Sequence, residues 1–494
     1  MRVRVVPTAS GNKAIQVVSK RYGKLTVHKH IGTFSNPEQK TQLLKEAEKF
    51  ILKTTGQVNF LDLVSSVRPF EIAITQSQPK FLYELLSCLY DKLGLSNYPD
   101  PVIKDLIIAR MYQPASKLEL IEVLTDSFSK DYILKTVYRH LKQGMKKGVK
   151  ECFQQSLIEF AKTDLGDSLR LVFYDVTTLY FESQVKTELK DFGFSKDHRA
   201  TDTQVVIGLV VAKDGFPIYF DIFSGKTFEG HTFLPVIQSI KKLLGTEELI
   251  VIADAAMISK DNVEALSDTQ VQFVVGTRLG NLPESLIDSI SQKLNQVDGK
   301  IITEKYRNQR LICSYSQKRA NKDRSDREKQ LQKAKMAIST PSKITQRYRF
   351  VKTAGRKPTL NSELVSKAEK LEGIKGYLTN TDLKEEVVID RYHDLWRIEN
   401  SFRITKTDLE ARPIFHRLEE TIKAHLIIVF AGLAISKYLE IKTGLSIKKI
   451  LKIASKVLTH KVTNTKTGEI AYVETTIENP ELKEKVELLR SLGH

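Results

Sequence analysis

The stretch "LRLVFYDVTTLYFE", residues 169–182, decides the fold, because it predicts a buried β-strand with one acid, Asp175, in its middle. The segment "TQVVIGLVVAKDGFPIYFDIF" (203–223) predicts two more strands joined by a turn at 213–215. Three strands in succession, joined by turns and polar loops, form a meander. We therefore expect a β-sheet to begin near residue 169.

Helices and strands alternate after this meander. "HTFLPVIQSIKKLL" (231–244) predicts a helix, "ELIVIADAAM" (248–257) a buried strand, and "VQFVVGT" (271–277) a further strand after a short helix. The order β-β-β-α-β-α-β is that of a ribonuclease-H-like core. We therefore expect an α/β fold with a ribonuclease-H-like core in two parts, 166–277 and 373–440.

The other segments divide by composition. An insertion domain with some β structure is expected between the two parts of the core, at 278–372, and "GIKGYLTN" (373–380) predicts one more strand after it. Residues 1–60 predict a β-hairpin and a helix, and 61–165 a basic helical domain that could bind DNA ends. The composition of this helical region fits any soluble helical domain equally well. Residues 441–494 predict a basic C-terminal tail with a basic helix.

The charge of the chain indicates an anionic partner. Its 494 residues include 77 Lys and Arg against 59 Asp and Glu, a formal net charge of +18, which favours nucleic acid. A basic ribosome-associated protein, or a merely soluble one, is the alternative. The three cysteines are odd in number and far apart, so no disulfide framework or zinc spacing is present. The longest apolar stretch, 424–435, is too short to span a membrane, and 1–13 lacks the apolar region of a signal peptide, so a cytoplasmic protein without a membrane partner is expected.

Two acids stand in apolar strands. Asp175 lies within its strand, where a carboxylate is costly to bury unless something pairs with it. Asp254 ends the apolar run "LIVIAD", and sites in open α/β sheets tend to lie at the carboxyl ends of strands. Each acid alone could instead be a turn-former, a helix cap or the partner of a nearby lysine.

A third acid lies in "RYHDLWRIENSFRITKTDLEARP", residues 391–413. Wound as one helix at roughly 100° per residue, this stretch places an apolar stripe on one side and a polar stripe about a quarter-turn away. The polar stripe lies within about 40° of one line. Its members are Tyr392, Trp396, Glu399, Arg403, Lys406 and Glu410. The alternative is that Trp396 belongs to the core and Arg403 pairs with Glu399 or Glu410 along the helix.

Asp175, Asp254 and Glu399 together would make a site of oxygen ligands only. Such a site suits Mg²⁺ or Mn²⁺, and two ions of this kind can activate a water or a 3′-hydroxyl for attack on a phosphodiester. Nearby cations would have to bring the DNA to these acids. Arg403 and Lys406 could reach phosphates, while Tyr392 and Trp396 could stack on an unpaired base.

At these residues the chain resembles bacterial insertion-sequence transposases of the DDE class, in the group with a Tyr-Arg-Glu-Lys signature (the insertion-sequence-four type). Tyr392, Glu399 and Lys406 match the signature at spacings of seven residues, and Asp175 in "FYDVTTLYFE" and Asp254 in "VIADAAM" match the two aspartate motifs. Leu395 stands where the signature has its Arg. Arg397 or Arg403 could take that role.

The resemblance implies the function and its residues. Asp175, Asp254 and Glu399 would be the catalytic residues and the ligands of two Mg²⁺ or Mn²⁺ ions, and the polar loop with Lys196, His198 and Arg199 would contact DNA. The partners would be double-stranded DNA with terminal inverted repeats and a target DNA, bound by a protein dimer. The enzyme would cut element ends and join them to the target. Two alternatives remain, a catalytically inactive DNA-binding derivative and a metal-dependent nuclease without strand transfer.

Overall fold

The computed structural model of the chain describes residues 1–8, 12–21, 24–55, 72–195, 201–246, 248–257, 262, 271–339, 348–352 and 358–493. The chain divides into two units. The first comprises Met1–Leu89, Ile121–Tyr132 and Lys448–His494, and the second comprises Tyr90–Leu120 and Ile133–Ile447.

Strands and helices follow one another along the whole described chain. The strands are β1 (Arg2–Pro7), β2 (Lys13–Arg21), β3 (Lys24–Phe34), β4 (Ile72–Gln78), β5 (Leu171–Tyr180), β6 (Gln204–Val211), β7 (Pro217–Ser224), β8 (Ile250–Ala253), β9 (Gln272–Thr277), β10 (Ile301–Tyr306), β11 (Gln309–Tyr315), β12 (Val351–Lys352), β13 (Thr359–Leu360), β14 (Ile374–Thr379), β15 (Thr459–Asn464) and β16 (Ile470–Glu474). The helices are α1 (Pro37–Thr55), α2 (Lys80–Lys92), α3 (Pro101–Tyr112), α4 (Lys117–Phe128), α5 (Leu134–Lys146), α6 (Val149–Thr163), α7 (Glu229–Leu244), α8 (Glu284–Leu294), α9 (Gln317–Ser339), α10 (Ser362–Lys370), α11 (Glu385–His393), α12 (Trp396–Arg403), α13 (Glu419–Thr443), α14 (Ile447–Ala454) and α15 (Pro480–Leu492).

The first unit contains two small antiparallel sheets. In one, β1, β2 and β3 pair in sequence order, and α1 packs on them around the buried side chains Ile15, Val17 and Ala47. The turn of the predicted hairpin, at 22–23, lies outside the described residues. The other sheet has the order β16-β15-β4. The basic helix expected within 441–494 covers only part of this tail, because β15 and β16 follow it and β15 pairs antiparallel with β4.

The second unit is built on one mixed sheet of eight strands in the order β10-β11-β14-β9-β8-β5-β6-β7. The predicted meander is confirmed, since β5, β6 and β7 pair antiparallel in sequence order. β8 and β9 then extend the sheet on the other side of β5 in parallel orientation. The continuous apolar runs have a physical reason, because β6 is buried at every position.

The segment 278–372 does not stand apart from this sheet. Its hairpin, β10 and β11, pairs through β14 with β9, and the register joins Leu311 to Leu378 and Cys313 to Gly376. The expectation that this segment only interrupts the core therefore needs correction. Such pairing joins residues far apart in sequence. The local sequence therefore does not show whether this hairpin joins the central sheet or forms a separate domain.

Helix α13 is the core helix of the second unit. It has 25 residues and a mean hydropathy of 1.6, which is long and apolar enough to cross a membrane, and the described residues contain one such helix. Helix α13 is therefore longer than the apolar stretch that we expected at 424–435. Within the protein, 89 % of the apolar window is buried, and α13 packs on α3, α5 and β7, with the rings of Phe220 and Phe430 at 4.5 Å. A membrane role for this helix has only this weak compositional support.

Candidate active site

Asp175 and Asp254 are neighbours on two adjacent strands in the middle of the central sheet. Their strands, β5 and β8, are parallel and adjacent, and Tyr174 is paired with Ala253, so the acids are the next residue on each strand. Adjacent strands lie about 4.8 Å apart. Asp175 is half-buried and receives a hydrogen bond from its neighbour Val176 N (2.7 Å), whereas Asp254 is exposed. The structure thus brings the two aspartate motifs onto adjacent strands.

The stretch 391–413 is not one helix. Helix α11 ends at His393, a turn follows, α12 runs from Trp396 to Arg403, and a π-helical turn covers Ile404–Asp408. In the turn the hydrogen bonds run from residue i+3 to residue i, as from Leu395 N to Tyr392 O (3.2 Å). Each residue of such a turn rotates the chain by about 120° instead of 100°, so the predicted polar stripe breaks there.

Tyr392 is directed into the protein, toward Asp254. Only 7 % of it is exposed, and its hydroxyl donates a hydrogen bond to Asp254 Oδ1 (3.0 Å). Burial and then the charge of Asp254 raise the pKa of Tyr392, so its hydroxyl stays protonated and remains a donor. Its ring packs edge-on against Tyr377 with centroids 5.0 Å apart. The ring therefore does not offer a face for base stacking, and Tyr392 instead orients an acid.

A glycine on the neighbouring strand makes this contact sterically feasible. Gly276, on β9, lies beside the Tyr392 hydroxyl, and a Cβ atom there would stand 2.3 Å from that oxygen. A glycine inside a strand often marks such a close approach. The sequence contains this signal in "VQFVVGT", but nothing local identifies the side chain that fills the space.

Lys375 is a residue that sequence reasoning missed. It lies on β14, and its Nζ is 4.5 Å from the centroid of the Tyr392 ring. Burial and then Arg319 lower the pKa of Lys375, while the charges of Asp254 and Glu399 oppose this effect. The charge of Lys375 thus interacts with the charges of both acids. The available signal was a lone lysine in the otherwise apolar strand "GIKGYLTN".

Glu399 lies on α12, which packs against β5 and β6, and its side chain is exposed. Its helix therefore contacts the strand that carries Asp175. In the part of the chain that the structure describes, no group of three or more His, Cys, Asp or Glu side chains is arranged to hold a metal ion. The donor chemistry of the three acids fits Mg²⁺ or Mn²⁺, but their side chains do not form a closed ligand set.

The remaining predicted DNA-contacting residues differ in their surroundings. Trp396 is 55 % exposed, with the Arg397 guanidinium 5.2 Å from its ring, so the alternative of a core tryptophan is wrong. Arg403 pairs with Asp408 (3.0 Å) rather than with Glu399 or Glu410. Lys406 is half-buried in the π-helical turn, and Leu395 is buried, as its apolar position predicts. The last three residues fall outside the described part of the chain, namely Lys196, His198 and Arg199.

Comparison with known proteins gives one family. The family described as "Transposase DDE domain" matches residues 167–435. This range is more than half of the chain and contains all three acids. No curated protein matches the sequence. Among solved structures, the cryo-EM structure of a piggyBac transposase synaptic complex with hairpin DNA superposes with a TM-score of 0.38 and 8 % identity, over 76 % of this chain and 69 % of that chain. That likeness is too distant to support an inference about this chain.

Proposed function

The chain belongs to the transposase DDE domain family, and we propose that it is a DNA transposase that cleaves the ends of an insertion element and joins them to target DNA. One observation carries the proposal. Asp175 and Asp254 follow paired residues on adjacent parallel strands, inside the region that the family matches. The two acids therefore lie side by side across β5 and β8, and Asp254 follows the carboxyl end of its strand, where sites in α/β folds are found.

Two finer assignments are part of this proposal. The strand order β7-β6-β5-β8-β9, with β6 antiparallel to its neighbours, supports a ribonuclease-H-like core. The contact between Tyr392 and Asp254 supports membership in the insertion-sequence-four group, because it gives the signature tyrosine a role at the acids. Leu395 departs from that signature. Arg397, which could replace the signature Arg, forms a salt bridge with Asp394 (3.2 Å).

Asp175, Asp254 and Glu399 are the residues that would hold divalent metal ions. Mg²⁺ is usually bound in proteins through one or two carboxylates together with waters and substrate phosphates, so two neighbouring acids already suit one ion. When bound, two such ions would activate the attacking oxygen and stabilise the leaving oxygen in both DNA cleavage and strand transfer.

The other residues of the site have supporting tasks. Tyr392 orients the Asp254 carboxylate through its hydroxyl, and Lys375 offsets the negative charge of Asp254 and Glu399. The exposed Trp396 ring would stack on a base, and Arg403 and Lys406 would meet phosphates. Lys196, His198 and Arg199 are proposed as further DNA contacts. The partners are double-stranded DNA with terminal inverted repeats and a target DNA, bound by a dimer, and the proposed location is the cytoplasm.

The proposal is tested by a combined cleavage and strand-transfer assay. The element's own flanking DNA is incubated with Mg²⁺ or Mn²⁺ and either the wild type or Asp175→Ala, Asp254→Ala and Glu399→Ala. Asp394→Ala and Glu410→Ala are matched controls, because each removes an acid from the same stretch as Glu399. We expect the first three variants to bind DNA without nicking it and both controls to cut. If Glu399→Ala still cuts, the third ligand lies elsewhere.

The same assay separates the two alternatives. The binding-only alternative has one observation in its favour, because the described residues form no closed group of metal ligands. It predicts that the wild type binds element ends and never cuts them. A nuclease without strand transfer would give cut ends and no joined product with target DNA.

A further inference from the structure

A basic cavity of about 470 Å³ lies in the second unit, away from the three acids. Arg110, at the end of α3, and Lys117, at the start of α4, line it together with the segment that follows the π-helical turn. That segment contributes Arg412 and His416, and α13 contributes His425. Residues from four separate parts of the chain thus place several nitrogen-bearing side chains around one space.

The two innermost cations are buried and incompletely paired. Arg110 is 4 % exposed and donates to Ala115 O (3.0 Å) and Glu410 O (2.6 Å), but its Nε has no hydrogen-bond partner among the described residues. Lys117 is 3 % exposed, and no hydrogen bond or salt bridge links it to the described part of the protein. Buried charges are normally paired, since an unpaired one costs several kcal/mol. This cavity therefore lacks an anion.

His425 also has an unsatisfied buried atom, in this case an acceptor that lacks a donor. His425 Nε2 lies 3.2 Å from Ala411 O, so it carries the proton and donates, which leaves Nδ1 as an acceptor. That buried Nδ1 also has no partner within the described ranges. Burial lowers the pKa of His425 well below its usual value and that of His416 to about 4, so both rings are neutral near pH 7. A ligand that offers both oxygen acceptors and a hydroxyl or water would satisfy the whole set.

The acids of the cavity do not supply the missing anion. The Glu119 carboxylate accepts from Ser116 N (3.0 Å) in a reciprocal cap of α4, and Glu119 N donates to Ser116 Oγ (3.3 Å). Glu410 offers Arg110 its backbone carbonyl, and its side chain is exposed. The start of α4 adds the positive end of a helix dipole to the side chains of Arg110 and Arg412.

We propose that this cavity is a phosphate-binding pocket. Its phosphate comes either from the backbone of bound DNA or from free phosphate, and the DNA source rests on the proposed function. A hydrogen phosphate ion could donate directly to His425 Nδ1, whereas a DNA phosphodiester would need a bridging water there.

The position of the pocket suits a DNA strand held at the acids. The Arg412 guanidinium lies 5.5 Å from the ring of Tyr180, which is five residues beyond Asp175 on β5. That separation is about 17 Å along an extended strand. A DNA molecule bound at the acids would therefore have to extend at least about that far to reach the pocket.

The first arm of the test is calorimetry of the full chain with inorganic phosphate. Lys117→Met keeps the length of the side chain and removes its charge. Lys293→Met is the matched control, because Lys293 is a lysine on α8 outside the cavity and is paired with Glu304. We expect the wild type and Lys293→Met to bind phosphate and Lys117→Met to bind it at least about tenfold more weakly, as for loss of one hydrogen-bonded charge. No phosphate binding, or equal binding by all three, would overturn the proposal.

The second arm identifies the source of the phosphate. The affinity for a short DNA duplex is measured as a function of salt concentration for the same three proteins. If DNA supplies the phosphate, Lys117→Met reduces the slope of log affinity against log salt by about one, and phosphate competes with DNA. If phosphate binds and this slope is unchanged, the source is free phosphate. Loss of DNA binding altogether would contradict the proposed function, while the calorimetric arm would still decide the pocket.

Discussion

The acid site and the basic cavity lie in the same unit and handle charge in opposite ways. At the acid site, Asp254 and Glu399 are exposed, and Tyr392 and Lys375 support them from within the protein. In the cavity, Arg110 and Lys117 are buried, and the two acids of the lining, Glu119 and Glu410, are exposed and form no salt bridge with them. Exposed acids cost the fold little, whereas a buried unpaired cation costs it a great deal. The acids are therefore accessible to solvent, whereas the buried cations of the cavity have no anion within salt-bridge distance among the described residues.

The largest effect is expected from Lys117→Met, measured as the free energy of unfolding without phosphate. Burial, and then Arg110, lower the pKa of Lys117 from 10.5 to about 7. The unfolded chain therefore binds more protons between about pH 7 and pH 10.5, and the stability of the wild type rises with pH across that window. The variant lacks this dependence and should be more stable at pH 7 by up to about 4–5 kcal/mol.

Denaturant unfolding at pH 7 and at pH 10 checks this prediction, with Lys293→Met as the control. The advantage of Lys117→Met should shrink at pH 10, because Lys117 is then neutral in the folded protein and close to its ordinary pKa of 10.5 in the unfolded chain. A destabilised variant at pH 7, or an equal difference at both pH values, would show that Lys117 is not a buried cation. The contrast between the two regions would then no longer hold for the basic cavity.

A smaller effect is expected at the acid site from Tyr392→Phe and Gly276→Ala. The first removes the hydrogen bond to Asp254, and the second places a Cβ where the Tyr392 hydroxyl stands. Both disturb the orientation of one acid without removing any acid. Loss of a group that orients a metal ligand typically costs about 10–100-fold in activity, so cleavage rates should fall by that factor. Gly280→Ala is the control, because a Cβ there meets open space.

Equal cleavage rates in Tyr392→Phe, Gly276→Ala and wild type would contradict the role assigned to Tyr392. A fall in Gly276→Ala alone would indicate a change in the strand rather than in the acid. Thermal unfolding of both variants separates these two causes.

Trp396→Ala should weaken DNA binding and leave stability nearly unchanged. The ring is more than half exposed, so its removal affects little packing. Loss of one base stack is worth about 1–3 kcal/mol of binding free energy. Fluorescence anisotropy with single-stranded and duplex DNA measures the affinity. Unchanged affinity for both would remove Trp396 from the DNA-binding surface that borders the acids.

The smallest effect is expected from Arg403→Met on the free energy of unfolding. Its salt bridge to Asp408 is on the surface, where such pairs contribute at most about 1 kcal/mol. A much larger loss, measured in the same denaturant unfolding experiment, would show that exposed charges beside the acids are structural. The contrast between the acid site and the buried cavity would then no longer hold for the acid site.

Much of the central sheet could be predicted from local sequence. The apolar runs of β5, β6, β7 and β8 and the turn at 213–215 identify these strands directly. The two strands that carry Asp175 and Asp254 were identified from their apolar runs, and the structure places these strands next to each other. The helix of Glu399 was identified, but not the turn at 394–395, since its i+3 hydrogen bonds depend on how Leu395 packs.

What could not be predicted depends on contacts distant in sequence. Hairpin β10–β11 joins the sheet through β14, which begins some sixty residues later. The approach of Tyr392 to Gly276 and the gathering of Arg110, Lys117 and His425 are also long-range. No periodicity or spacing in the sequence encodes these contacts, because each residue looks ordinary within its own helix or strand.

The most direct test of the account asks whether a divalent metal ion binds among the three acids. The full chain is incubated with Fe²⁺ in place of Mg²⁺, and ascorbate with peroxide generates hydroxyl radicals that cut the protein backbone near the bound iron. We predict cuts close to Asp175, Asp254 and Glu399 together, which excess Mg²⁺ suppresses and which Asp254→Ala abolishes. Cuts confined to other segments, or an unchanged pattern in Asp254→Ala, would contradict a metal site at these acids.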